Sequence, residues 1–216
     1  MVPIGLMKYL AVIGDIVASR RLPERGKFQR RLKASLQEVN RRRSRALASP
    51  YTLTLGDEFQ ALYCDAGSVF SDMFALLAEL APVRARFAFA AGEIITPLNK
   101  EQSIGMDGPA FHHARAQLDR LKAEKRLSGV HGPGVEPDLL TTAMLNVLSG
   151  QVEGWKPVRL RLFAGLLAGK SAGELAVETG ITPRAVHKNI RAAELDEWRT
   201  ILHNIERSLA AELKSR

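Results

Sequence analysis

The order of apolar patterns along the chain predicts an α+β fold: a ferredoxin-like β-α-β-β-α-β sheet domain, then an all-α domain with a helix-turn-helix. Three observations support this prediction. Short apolar runs alternate with segments of helical period through residues 1–127. Residues 128–137 contain three glycines and two prolines, which predicts a linker. Every apolar pattern in residues 138–216 has the period of a helix.

The elements of the sheet domain follow from these two periods. Apolar spacing predicts helices at residues 23–46, 66–80 and 110–126. Pro50 and Pro82 are expected to end the first two helices. In the β-α-β-β-α-β order, the first and third strands lie side by side at the sheet centre. The predicted strands are residues 9–17, 51–55, 59–63 and 84–92.

The clearest motif of the all-α domain is a predicted helix-turn-helix over residues 171–190. Ser171 and Glu174 have the spacing of a capping box, which starts the first helix. Gly180 supplies the turn, and Thr182 with Pro183 starts the second helix. The other predicted helices of this domain are residues 138–148, 158–168 and 195–213.

The net charge of +8 is concentrated in the predicted sheet domain. Residues 1–127 carry 20 Lys and Arg against 13 Asp and Glu, whereas the remainder is almost neutral. Much of the excess lies in one stretch, which includes the predicted helix at residues 23–46. A basic helix of this kind either faces nucleic acid or is simply solvated. The basic residues of the stretch are Arg20, Arg21, Arg25, Lys27, Arg30, Arg31, Lys33, Arg41, Arg42, Arg43 and Arg45.

The cysteine count and the hydropathy pattern limit where the protein is expected to act. The single cysteine, Cys64, excludes an internal disulfide framework and a thiolate zinc cluster. No apolar run approaches the roughly 20 residues that span a bilayer, so no membrane partner is expected. We therefore expect a cytoplasmic protein.

Two aspartates lie where apolar strands end. Asp15 closes the first strand, and Asp57 lies at the tip of the central hairpin. The predicted strand order brings these positions together. Two carboxylates from adjacent strands suit Mg²⁺, which takes few carboxylates plus phosphates. The alternative is that both are ordinary turn aspartates beside glycine.

The second helix of the predicted motif has a polar, basic face. Val186 and Ile190 are expected to be buried, and the opposite face suits phosphates and the major groove. This predicts DNA binding; the alternative is a helical hairpin that contacts protein. The candidate DNA-binding residues are Thr182, Arg184, His187, Lys188 and Arg191.

Three segments carry a family resemblance: LAVIGDIV at residues 10–17, TLGDEFQ at 54–60 and IGMDGPA at 104–110. Through them, the first 127 residues resemble the SatD family of bacterial proteins. More distantly, they are similar to the catalytic core of class III nucleotidyl cyclases. Those enzymes also have Asp-Ile after the first strand, Gly-Asp in the central hairpin and a later helix that begins at glycine.

The cyclase resemblance implies a Mg²⁺ ion and a bound nucleotide. In it, Asp15 and Asp57 match the two metal-binding aspartates, and the backbone carbonyl of Ile16 matches a further ligand. Because cyclase-type sites usually form between two domains, a homodimer is one arrangement that the resemblance implies; the oligomeric state stays open. The positions expected to contact the nucleotide are Gly14, Gly56, Glu58, Gly108 and Arg115.

The chain departs from the cyclase pattern where that pattern recognises the base and stabilises the transition state. Leu53 occupies the position of the base-recognising lysine of adenylyl cyclases. Their asparagine and arginine pair aligns with His112 and Ala116, although Arg115 lies one residue from the arginine position. We therefore assign no catalytic residue.

Three functions follow as hypotheses. The first is a transcription regulator in which a Mg²⁺-nucleotide at Asp15 and Asp57 modulates DNA binding. The second is an enzyme that acts on nucleoside triphosphates with the same two aspartates as metal ligands. The third is an adaptor without catalysis, whose helical tail binds protein.

Overall fold

The computed structural model describes residues 7–54, 56–131 and 139–215, which form a five-stranded sheet and its covering helices. None of the described helices is both long and apolar enough to cross a membrane. The strands are β1 (Lys8–Ile16), β2 (Leu47–Leu53), β3 (Glu58–Tyr63), β4 (Ala85–Glu93) and β5 (Ser128–His131). The helices are α1 (Arg25–Arg42), α2 (Val69–Leu80), α3 (Pro109–Glu124), α4 (Leu139–Glu153), α5 (Pro157–Leu167), α6 (Ala172–Thr179), α7 (Pro183–Ala192) and α8 (Leu195–Lys214).

The strand order β2-β3-β1-β4-β5 confirms the predicted α+β fold with ferredoxin-like order. Strand β1 is central and pairs antiparallel with β3 on one edge and with β4 on the other. Strand β5 extends this arrangement, because it pairs in parallel with β4.

Strand β5 lies where the glycine content predicts the start of the linker. Residues 128–131 form this strand, and its Gly129 leaves room for the side chain of Gln117 from α3. A Cβ atom at Gly129 would lie 2.0 Å from the Gln117 amide nitrogen. This glycine therefore allows close packing of strand and helix. The rest of the predicted linker, residues 132–137, lies outside the described residues, and the domain boundary stays a prediction.

Both faces of β1 are buried because its residues alternate between two helix layers. Leu10 and Val12 belong to an apolar cluster that includes Leu32 of α1. Ala11 and Ile13 belong to the cluster on the other face, which α3 covers. The position at which β1 stops being apolar, Asp15, therefore lies on the α3 side of the sheet.

The predicted helix stop at Pro50 is displaced. Helix α1 ends at Arg42, and Pro50 lies within β2. Strand β2 is an edge strand, where a residue without a backbone N–H is tolerated. Register shifts on either side of Ser49 interrupt its pairing with β3. Strand β2 is therefore an irregular edge.

The helical tail packs directly on α2. Phe163 of α5 contacts Phe74 of α2 in an edge-to-face pair with ring centroids 4.6 Å apart. Trp155 lies 5.4 Å from Phe163, again edge to face. Lys8 at the start of β1 forms a 2.8 Å ion pair with Glu212 of α8. The apolar core is therefore continuous from the sheet into the tail.

A buried polar network lies within this core. Asp72 of α2 accepts hydrogen bonds from Arg43 Nε at 2.9 Å and from the Tyr63 hydroxyl at 3.0 Å. Burial raises the pKa of Asp72, and the Arg43 guanidinium opposes that shift. These partners supply the charge and hydrogen bonds that a buried carboxylate requires.

Glu206 of α8 joins the tail to the first turn of α2. Its carboxylate accepts a 3.0 Å hydrogen bond from the backbone N–H of Phe70, one of the N–H groups that a helix start leaves without an internal partner. Burial raises the pKa of Glu206 to about 7, while the Phe70 hydrogen bond opposes the shift. The contact between tail and sheet domain therefore contains a carboxylate that titrates near neutral pH.

We expect Glu206 to make the fold less stable as the pH rises from about 4.5 to about 7. Over this range the folded protein holds a proton that the unfolded chain has lost, so stability falls with rising pH. Glu206→Gln removes the titration and keeps an acceptor for the Phe70 N–H. The variant should be more stable than the wild type by about 2 kcal/mol at pH 8 and equally stable at pH 4.

Urea unfolding at pH 4, 6 and 8 measures this difference. Glu197→Gln, at an exposed position of the same helix, is the matched control and should follow the wild-type profile. Identical pH profiles for the wild type and Glu206→Gln would contradict the assignment.

Candidate functional site

The end of β1 meets the tip of the β2–β3 hairpin, as the strand order requires. Asp15 lies opposite Glu58 in the β1–β3 register and opposite Arg86 in the β1–β4 register. The Ile16 N–H donates a 3.1 Å hydrogen bond to the Asp57 carbonyl. Since side chains alternate along a strand, Asp15, Glu58 and Arg86 project to the α3 side of the sheet.

Helix α3 adds two cations, Arg115 and Lys122, at this end of β1. Arg86 Nη1 donates a 3.0 Å hydrogen bond to Asp15 Oδ2, and Lys122 Nζ of α3 lies 3.3 Å from Asp15 Oδ1. Arg115 of α3 pairs with Glu58. Asp15 is only 8% exposed. We call these three cations and two carboxylates the rim cluster: Asp15, Glu58, Arg86, Arg115 and Lys122.

The two predicted metal ligands have different partners. Both oxygens of Asp15 are engaged by Arg86 and Lys122, whereas the Asp57 carboxylate accepts a hydrogen bond from the Ser19 hydroxyl. Within the described ranges, no three His, Cys, Asp or Glu side chains are grouped to hold a metal ion. A Mg²⁺ ion at Asp15 would have to displace a cation, so this arrangement does not fit the ion. The Mg²⁺ site, with its Ile16 carbonyl ligand, stays a prediction.

The glycines expected to contact a nucleotide have structural reasons to lack a side chain. A Cβ atom at Gly14 would lie 2.2 Å from the ring of Phe59, and one at Gly108 would lie 2.4 Å from the Glu93 carbonyl oxygen. Gly56, at the hairpin tip, has a φ of +60°, which disfavours other residues. Close packing and turn geometry account for all three, and their contact with a nucleotide stays a prediction.

The start of α3 already has a carboxylate. Asp107 Oδ1 accepts a 2.8 Å hydrogen bond from the Gly108 N–H and lies 2.6 Å from His112 Nε2. The free N–H groups of a helix start attract anions, and Asp107 satisfies that preference from within the chain. A phosphate at this helix start would compete with Asp107.

One buried hydrogen-bond donor of the rim cluster, Arg86 Nε, has no partner among the described residues. With three cations and two carboxylates, the cluster also has an excess positive charge. Guanidinium and ammonium groups bind phosphate strongly, so the cluster suits a phosphate-bearing ligand.

The sequence analysis missed Arg86 and Lys122, although it identified Asp15, Glu58 and Arg115. A signal for Arg86 does exist in the sequence. Arg86 alternates with buried residues of β4, and the predicted pairing of β4 with β1 places it beside the end of β1. Lys122 gives no comparable signal, because its contact depends on how α3 lies across the sheet.

Helices α6 and α7 form the predicted helix-turn-helix. The Ser171 N–H donates a 2.8 Å hydrogen bond to the Glu174 carboxylate, and the Glu174 N–H donates one to the Ser171 hydroxyl. Together the two bonds form the predicted capping box. Gly180 ends α6 with a φ of +69°. The Thr182 hydroxyl then accepts a 3.2 Å hydrogen bond from the Ala185 N–H and caps α7. Each end of the turn is therefore fixed by local hydrogen bonds.

The predicted DNA-binding residues of α7 share its exposed face. Val186 and Ile190 are buried on the opposite side. In the part of the chain that the structure describes, none of the basic residues on this face forms an ion pair or a side-chain hydrogen bond. The exposed residues are Arg184, His187, Lys188 and Arg191, with Thr182 at the cap.

We expect Asp15→Asn to destabilise the fold by about 1–3 kcal/mol, because it leaves Arg86 and Lys122 without a charged partner at a poorly hydrated position. Urea unfolding measures the loss. Asp57→Asn is the control and should cost less, since its carboxylate bonds only the Ser19 hydroxyl among the contacts described. If Asp15→Asn instead made the fold more stable, Asp15 would be acting as an unfavourable buried charge. That result would contradict the ion-pair role.

Comparisons with known proteins identify the family of the chain and its structural relatives. No curated protein matches the chain. The structure is similar to a bacterial light-regulated adenylyl cyclase, at 14% identity and a TM-score of 0.45, over 58% of this chain and 76% of that one. It is also similar to a regulator of polyketide synthase expression from Bifidobacterium adolescentis, at 16% identity and a TM-score of 0.28, over 97% and 80% of the two chains. The SatD family model matches residues 9–149, more than half of the sequence, and the chain therefore belongs to the SatD family.

Proposed function

We propose that this protein is a DNA-binding regulator that contacts DNA through α7. The observation that carries the proposal is the basic face of α7, which is exposed and makes no ion pair within the described chain. Arginine and lysine side chains without acidic partners are free to neutralise phosphates.

The geometry of α7 suits the major groove. Its 10 residues correspond to a length of about 15 Å at 1.5 Å per residue, and a groove about 12 Å wide admits a helix. Arg184, Lys188 and Arg191 lie at spacings that keep them on one side of the helix. In helix-turn-helix proteins, the second helix of the motif has this role.

The composition of the same face argues against the adaptor hypothesis at α7. Protein-binding surfaces depend on a few buried aromatic or apolar anchors. The outer face of α7 has none, because Val186 and Ile190 are buried in the tail. A basic face without apolar anchors favours a phosphate-rich partner over a protein partner.

The DNA contact is tested by replacing Lys188 and Arg191 with alanine. Each lysine or arginine that neutralises a phosphate contributes close to one unit to the salt slope of binding, so the slope should fall by about 1–2 units. Fluorescence anisotropy with a random-sequence duplex across a salt series measures it. The double variant Arg199→Ala/Arg207→Ala, at exposed positions of α8, is the control. An unchanged slope in the α7 variant would refute the proposal.

We further propose that the rim cluster binds the phosphates of a nucleotide and that this ligand changes the affinity for DNA. The Arg86 Nε–H that lacks a partner among the described residues and the excess positive charge support a phosphate ligand. Strands β1 and β4, which supply Asp15 and Arg86, also contact α8 of the tail. A ligand at the rim is thus connected to the helical tail along the length of these packed strands, because the Lys8–Glu212 ion pair lies at the far end of β1 from Asp15.

An enzyme that acts on nucleoside triphosphates is the weaker hypothesis. Such an enzyme would use Asp15 and Asp57 as metal ligands. The ion pairs of Asp15 leave neither of its oxygens unengaged, so the cluster favours binding over turnover.

Nucleotide binding is tested with Arg115→Ala/Lys122→Ala, which removes two of the three cations. Calorimetry with the common nucleoside di- and triphosphates should show binding to the wild type and at least tenfold weaker binding to the variant, in line with the loss of two charge-assisted hydrogen bonds. Arg120→Ala, on the same helix and exposed, is the matched control. If none of these nucleotides binds the wild type, the rim cluster is a structural network only.

A further inference from the structure

Helix α1 has an excess of positive charge that the fold does not require. Its 18 residues include seven lysines and arginines and a single acidic residue, Glu38. Its buried side consists of Phe28, Leu32, Leu36 and Val39. Because residues three and four apart are neighbours on a helix, the outer cations repel one another and weaken the helix.

Some of these cations are neutralised within the chain. Arg41 and Arg42 share Glu38, and Lys27 lies 3.5 Å from Glu24. The remaining cations have no acidic partner among the described residues, and two of them, Arg30 and Lys33, lie on the outer side of the helix.

Arg31 is held by other contacts. Its Nη2 donates a 2.7 Å hydrogen bond to the Leu80 carbonyl, and its guanidinium lies 5.5 Å from the ring centroid of Phe28. This arginine has a role in packing α1 against α2. We call Lys27, Arg30, Lys33 and Arg41 the outer basic face of α1; all four side chains are exposed, and the ion pairs with Glu24 and Glu38 leave Arg30 and Lys33 as its unpaired cations in the described part of the chain.

The outer basic face lacks the features that other partners need. A membrane-bound helix inserts large apolar side chains, and a protein interface buries aromatic or apolar anchors. No exposed large apolar residue lies on α1. Single-stranded nucleic acid binds by stacking on aromatic rings, and the only aromatic residue of α1, Phe28, is buried. What remains is a partner with a regular array of negative charge.

The dimensions of the face match such a partner. From Lys27 to Arg41 the helix rises by about 21 Å, at 1.5 Å per residue. Duplex nucleic acid presents phosphates over that whole distance, since each strand carries one phosphate per about 3.4 Å of the duplex axis.

We propose that the outer basic face of α1 binds the phosphate backbone of a nucleic-acid duplex, at a surface separate from α7. The contact is electrostatic and independent of base sequence, because phosphate contacts carry no base information. It supplies affinity, whereas base readout belongs to α7 in the function proposed above.

The test compares two matched double variants of the full chain. Arg30→Gln/Lys33→Gln removes two charges from the outer basic face. Lys100→Gln/Arg120→Gln removes two charges from exposed positions outside α1 and α7. Binding to 24-base-pair DNA and RNA duplexes is measured by anisotropy over a salt series. The α1 variant should lower the salt slope by about 2 units and weaken binding roughly tenfold or more at moderate salt, while the control should not.

The α1 variant and its control are also measured in the Lys188→Ala/Arg191→Ala background. This separates a failure of the α1 proposal from a failure of the α7 proposal. A loss of slope in both backgrounds supports the α1 surface, whether or not α7 contributes, and the comparison of the two duplexes shows which nucleic acid it binds. An unchanged slope in the α1 variant, or an equal loss in the control, overturns the proposal. The melting temperature of each variant is measured as well. Because the substitutions relieve repulsion, it should be unchanged or higher, and a lower value would show that misfolding causes the weaker binding.

Discussion

The two-sided burial of β1 is the constraint on which the rest of the structure depends. This strand is hydrogen-bonded along both edges and covered on both faces, so its residues have no freedom to change register. A shift by one residue would exchange its faces and move Asp15 away from Lys122 to the side of α1 and α2. The position of the rim cluster is therefore determined by the apolar core beside it.

The same strand connects the sheet to the helical tail. Lys8, at the opposite end of β1 from Asp15, pairs with Glu212 of α8. On the neighbouring helix α2, Phe74 packs against α5 and the Phe70 N–H bonds Glu206. The contacts that hold the tail thus include an ion pair, an aromatic cluster and a buried carboxylate, and α4 adds an ion pair between Arg84 and Glu153.

Local patterns in the sequence were sufficient to predict the order of the first four strands and the helix-turn-helix. The period of the apolar residues fixes which side of α7 is buried, so Arg184, Lys188 and Arg191 were placed on its outer face without knowledge of the fold. Capping and turn residues such as Ser171 and Gly180 act within a few positions, and the structure keeps them in those roles.

Long-range packing set the limit of prediction. Gly129 was taken for a linker residue because the reason for that glycine, the amide of Gln117, lies on another element. Asp15 was correctly placed at the rim, but its partner Arg86 is 71 positions away. A carboxylate at a strand end suits a metal ion or an ion pair equally well, and only the tertiary neighbours of Asp15 distinguish the two.

The irregular edge strand β2 has a consequence for self-association. An open sheet edge invites pairing with another chain, and proline residues and bulges prevent it. Strand β2 has both devices, with Pro50 lying within the second of its two register shifts, between Ser49 and Thr52. The opposite edge, β5, comprises four residues in the described part of the chain. Among the residues that the structure describes, two copies of this chain therefore lack the long, regular edges that would join their sheets into one continuous structure, which favours a dimer formed through helices or loops.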